Sequence, residues 1–215
     1  MNQNFDNNSF FTADGKLDIK SEKPLTVAFI GGSLTECETD YEGTKLDKQN
    51  GKWTESVCDF FRSLFPHRKV SSVNAGLGGP GSHYGAVRFE KDVLSYGPDI
   101  VFIEFSCNDC PECDADCEGQ RKAERQIYLE SMIRRCIYAK KIPAIIYMHV
   151  PLPYEGEAER LYKVGCDLKQ SVLNYYRVGT VDAMAYMLRK FDEQKAENPE
   201  LTRKKFYEDY YPQYE

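Results

Sequence analysis

Three short stretches of this 215-residue chain carry residue types suited to acyl chemistry. Gly31-Gly32-Ser33 ends an apolar run, Leu25 to Ile30, and two glycines before a serine suit a tight turn at the end of a buried strand. A serine presented there can act as a nucleophile, or it can be a turn serine whose hydroxyl bonds local backbone. Ala75-Gly76-Leu77-Gly78-Gly79-Pro80-Gly81-Ser82 is a glycine-rich turn, and its backbone N–H groups could face an anion. The plainer reading is an ordinary strand-to-helix turn. Asn108, in Ser106-Cys107-Asn108-Asp109, could offer a side-chain amide to the same anion or simply form a turn.

An unassisted serine hydroxyl is a poor nucleophile near neutral pH, so a general base is required. The chain has three histidines, His67, His83 and His149. His149 closes the apolar run from Pro143, and His83 follows the glycine turn. Each is a possible substitute base, or a site-lining residue that never accepts the serine proton. His67, between Pro66 and Arg68, reads as a surface residue.

A second pattern competes. Cys107, Cys110, Cys113 and Cys117 have the C-x-x-C-x-x-C-x-x-x-C spacing of a bacterial iron–sulfur run. Glu118 stands where a proline normally follows, no second cysteine run completes a two-cluster protein, and a metal at Cys107 would constrain Asn108. Interspersed Asp109, Glu112, Asp114 and Asp116 could also favour zinc. The preferred reading is a cysteine-rich variable loop, and no cofactor is called for.

The elements that must hold these residues alternate. Short apolar runs at Leu25–Ile30, Val70–Asn74, Ile100–Phe105, Pro143–His149 and around Thr180-Val181 read as strands. Between them, helical stripes run through Trp53, Val57, Phe60, Phe61 and Leu64; from about Tyr84 to Leu94; through Leu129, Met132, Ile133, Cys136 and Ile137; and through Leu161, Val164, Leu168 and Val172. Asp182 is a good N-cap for a last helix carrying Met184, Met187, Leu188 and Phe191. About five alternations with short connections predict an α/β three-layer sandwich: a parallel, about five-stranded sheet with right-handed crossovers and helices on both faces. Ligands bind beyond the carboxyl ends of such strands, which places Ser33, the glycine turn, Asn108 and His149 on one edge.

Composition limits the partners. A formal net charge of -6 gives no electrostatic footprint for nucleic acid or anionic membrane, and a small or neutral ligand is expected. Residues 1–22 read as a polar N-terminal arm and residues 23–215 as one domain. With neither a signal pattern nor a membrane-spanning run, the chain as given reads as cytoplasmic, or as extracellular had a signal been removed.

At the three chemical stretches the sequence resembles the SGNH hydrolases, the GDSL esterase/lipase superfamily. Its first block matches Gly31-Gly32-Ser33-Leu34-Thr35-Glu36, its second Asn74-Ala75-Gly76-Leu77-Gly78-Gly79, and its third Ser106-Cys107-Asn108-Asp109, with Ser106 replacing the usual glycine. The wording from Asn74 to Asp92 and Pro98 to Phe105 resembles a bacterial subgroup of carbohydrate esterases. The resemblance implies a flavodoxin-like SGNH fold, Ser33 as nucleophile, Gly79 and Asn108 as oxyanion donors, and an acyl ester of a carbohydrate or small molecule as substrate. It also implies an Asp-x-x-His-Pro block near the C-terminus. The counterpart here, Phe206-Tyr207-Glu208-Asp209-Tyr210-Tyr211-Pro212, offers Asp209 as a possible orienting acid but no histidine, and no last helix is expected after it. The rival expectation is therefore a catalytically impaired homologue that binds its ligand without turning it over.

Overall fold

The computed structural model describes residue 18 and residues 20–36, 52–109, 120–150 and 155–210; the side chains of 120–123, 157, 158, 161 and 208–210 lie outside that description. The apolar runs become β1 (Leu25–Gly31), β2 (Val70–Gly76), β3 (Ile100–Glu104), β4 (Ala144–His149) and β5 (Gly179–Asp182). All pair in parallel in the order β2-β1-β3-β4-β5, the flavodoxin-like order. Every residue of the central strand β3 is buried. The register aligns Gly31 with Gly76 on one side and Glu104 on the other, so three strands end level with one another.

Helices connect them: α1 (Ser33–Glu36), α2 (Trp53–Leu64), α3 (Ser82–Asp92), α4 (Gln120–Ile137), α5 (Glu157–Tyr176), α6 (Ala183–Glu197) and α7 (Arg203–Tyr210). Strand alternation splits the core in two. Ala28, Ile30, Val101 and Ile103 pack against Ala86 and Phe89 of α3, Leu129, Met132 and Ile133 of α4, and Leu173 of α5. Val27, Phe29, Ile100 and Phe102 pack against Cys58 and Phe61 of α2. Asp182 caps α6 as expected, accepting the Ala185 N–H at 2.8 Å.

Two helical stripes differ from the sequence reading. On α2, Phe60 is 59% exposed and Leu64 39%, and the buried line runs through Thr54, Cys58 and Phe61. Adjacent Phe60 and Phe61 sit about 100° apart on a helix and cannot both face the sheet. On α5, Val164 is exposed and Leu168 and Val172 are half-buried, while Tyr162, Gly165, Lys169 and Leu173 face inward; the Leu161 side chain lies outside the described residues. Lysine marks a solvent face in any hydropathy reading, so an inward lysine shifts the apparent stripe by one residue.

The segment holding Phe206 is helical in α7, where Phe206 and Tyr207 are buried beside Met187 and Phe191. Among the described residues, no helix is long and apolar enough to cross a membrane.

Candidate functional site

The helical turn of α1 begins at the serine itself, because Gly32 O accepts the N–H groups of both Thr35 and Glu36 at 3.0 Å. Thr35 turns inward and donates its hydroxyl to Glu104 Oε2 at 3.0 Å. Asn74 spans from β2, donating Nδ2–H to Thr35 O at 2.8 Å and accepting the Gly76 N–H at 2.9 Å. The α1 backbone therefore lies flat on the strand ends. A Cβ at Gly76 would stand 2.2 Å from Glu36 N, which is why glycine is needed there. Ser33 is left exposed, and its hydroxyl makes no hydrogen bond among the described residues.

The glycine turn flanks this serine. Gly78 donates its N–H to Glu36 Oε2 at 2.8 Å, and a Cβ built on Gly78 would come within 3.6 Å of Ser33 Cβ. Gly79 adopts φ 100°, a left-handed conformation that fits glycine. Asn108 closes the group from β3: its Nδ2–H donates to Gly79 O at 3.0 Å, and its Oδ1 packs so near Gly32 that a Cβ there would be 1.9 Å away. The structure thus brings Ser33, Gly79 and Asn108 together. A carboxamide carries two N–H donors, so one remains for a ligand.

Beneath these residues lies a polar layer that hydropathy reading passes over. Glu104 is fully buried, and Oε1 accepts the Ser106 N–H at 3.1 Å and its hydroxyl at 3.2 Å. Burial drives the Glu104 carboxyl above the usual carboxylate range, opposed by its hydrogen bonds to Thr35 and Ser106 and by the Lys169 charge. Asp109 Oδ1 accepts the Ser82 N–H at 2.8 Å, tying the third stretch to the start of α3. Lys169 reaches in from α5, its ammonium 3.4 Å from Asp109 Oδ2. Lys169 was missed in the sequence because an isolated lysine among half-apolar helix positions carries no signal of burial.

The histidines part company. His83 is exposed on the first turn of α3, its Nδ1 3.5 Å from where a Cβ on Gly81 would stand. His149 is 3% exposed, its ring 5.0 Å from that of Tyr147 and its Nδ1 without a hydrogen bond. No described histidine hydrogen-bonds Ser33 Oγ. His67 is exposed. The Asp209 side chain lies outside the described residues, as do Cys110, Cys113 and Cys117. Cys107 is half-buried and, like Leu34 and Cys166, packs against the cluster of Val150, Tyr162 and Met184; burial pushes the Cys166 thiol up to about 11.

Burial also lowers the His149 pKa from 6.5, against the Asp182 charge, with Lys169 lowering it further and Gln170 and Asp167 raising it. A folded pKa below the unfolded one means that the unfolded chain takes up the extra proton as pH falls below 6.5. Stability contributed by His149 is therefore present above that value and is lost below it. Thermal melts of the wild type and His149→Gln from about pH 7.5 to about pH 5.5 should converge as pH falls. A constant difference between the two would remove His149 from the acid response.

No protein-family model matches the sequence, and no curated protein matches it. Solved structures do. A two-domain esterase active on acetylated mannans superposes with a TM-score of 0.62 at 25% identity over 84% of this chain and 43% of its own. This chain thus spans less than half the length of that esterase. An acetylxylan esterase from Geobacillus stearothermophilus superposes with a TM-score of 0.60 at 19% identity, covering 75% of this chain and 77% of its own. The fold agrees with that of SGNH-type carbohydrate esterases.

Proposed function

We propose that the chain is a serine ester hydrolase that removes acetyl, or another small acyl group, from a carbohydrate. The observation that carries this reading is the convergence of Ser33, Gly79 and Asn108, from three distant stretches, at the carboxyl edge of the sheet. The likeness to esterases acting on acetylated mannans and xylan supports the substrate class.

In this mechanism Ser33 Oγ forms a bond to the acyl carbon as its proton passes to a base. The carbonyl oxygen becomes an oxyanion facing the Ser33 and Gly79 N–H groups and the spare Asn108 N–H. These donors are fixed before reaction and need little reorganisation when charge develops. Collapse expels the sugar hydroxyl, which regains a proton, and water then cleaves the acyl-serine to a carboxylic acid and free Ser33. His83 lies exposed beside Gly81, at the foot of the glycine turn, whereas His149 is buried against Tyr147 and α5.

The lack of a hydrogen bond from Ser33 to any described histidine favours one other reading, a homologue that binds the acylated sugar without cleaving it. Acetate release from acetylated xylo- and manno-oligosaccharides separates the two. Release by the purified chain is the expected result. Saturable binding by calorimetry with no acetate produced would establish the binding module instead.

A further inference from the structure

We infer that Lys169 and Asp109 form a positioning pair that holds the Asn108 carboxamide in place for the oxyanion, an inference that rests on the esterase reading above. The turn carrying Asn108 runs from Phe105 to Asp109 and is closed by the Asp109 N–H donating to Phe105 O at 3.0 Å. Lys169 grips both ends of that turn. Its Nζ donates to Phe105 O at 3.4 Å and stands 3.4 Å from Asp109 Oδ2. The carboxylate's other oxygen holds the Ser82 N–H, so the same pair fixes the turn to the first residue of α3. Asn108, one residue before Asp109, has little room left: its carboxamide is caught between Gly32 and Gly79 O.

Stability alone is a poor reason for this arrangement. Lys169 is 1% exposed and Asp109 is 4% exposed. Removing two charges from water costs more than such a pair reliably returns, and apolar replacements of similar volume are often neutral or better. Asp109 Oδ2 has no hydrogen-bond donor among the described residues, so the ammonium charge is its compensation there. What the pair supplies, and an apolar contact cannot, is a directional hold on a turn one residue from a reacting group. Misplacing such a group by about 1 Å can cost about 10²-fold in rate.

The test is a mutant cycle on p-nitrophenyl acetate with Lys169→Met, Asn108→Ala and both together, with Ser33→Ala as reference. Lys169→Met should lower kcat by about ten-fold or more with KM within about two-fold, and should have under about two-fold effect once Asn108 is already alanine. Near-UV circular dichroism reports whether the variant folds. Should it fail to, Lys169→Met/Asp109→Asn takes its place in the cycle, because asparagine keeps an acceptor for the Ser82 N–H without stranding a carboxylate. An unchanged kcat in a folded variant, a loss confined to KM, or the same fractional loss in both Asn108 backgrounds would overturn the positioning role and leave the esterase reading standing. A wild type whose hydrolysis is absent or indifferent to Ser33→Ala would instead overturn the esterase reading, and this inference with it.

Discussion

Ser33→Ala is expected to bring ester hydrolysis down to the level of residual oxyanion-assisted water attack, a loss of about 10⁴-fold or more in kcat. The argument is chemical before it is structural. Without Oγ no acyl-enzyme forms, and the remaining donors can stabilise only a slower, direct attack by water. The fold should not notice, because the Ser33 side chain is exposed and makes no hydrogen bond among the described residues. Stopped assays on p-nitrophenyl acetate, with thermal melts alongside, check both halves. Equal rates for wild type and variant would sink the serine mechanism. A melting temperature several degrees lower would show that Ser33 carries a structural contact its exposure argues against.

Asn108→Ala is the second large expectation, at about 10²–10³-fold in kcat, or about 2.7–4 kcal/mol of transition-state stabilisation. It is smaller than the first because the Ser33 and Gly79 N–H groups remain. Asn108→Asp should be worse than alanine despite its matched shape. An aspartate cannot donate to the oxyanion, and it sets a negative charge where another is forming. Steady-state kinetics on the two variants rank them. If aspartate proved the better enzyme, the carboxamide would not be facing developing negative charge.

What could be read in advance follows from how each feature is encoded. The sheet was legible because β1 and β3 are continuous apolar runs broken by glycine or polar turns, and the parallel order then fixes which ends face the ligand. That Ser33, Gly79 and Asn108 would meet at one edge was legible because each sits just past a strand end, where local composition and spatial position coincide. The α2 and α5 stripes were misjudged for a different reason. Apolar spacing reports which residues avoid water, and it placed both Phe60 and Phe61 on the sheet face, where Phe61 is buried and Phe60 is not. Lys169 and Glu104 were illegible together because 65 positions (169 − 104) separate the two residues and a charge buried by partners looks, in sequence, like a charge left in solvent. His149 was read onto the correct edge from strand periodicity, but periodicity does not say that Tyr147 and α5 would close over it.

The paired glycines at the ends of β1 and β2 set a tolerance for everything above them. Gly31 and Gly76 face one another in register, and neither leaves room for a Cβ: the nearest backbone atoms would be Glu104 O at 2.4 Å and Glu36 N at 2.2 Å. The height of Ser33 above the sheet is thus gauged at Gly76 by main chain resting on main chain, and at Gly31 by the Glu104 carbonyl together with the inward-turned Thr35 hydroxyl, which would stand 2.1 Å from a Cβ there. Volume-conserving swaps in the core beneath leave this contact surface in place, whereas a Cβ added at either glycine would lift α1 off the strand ends.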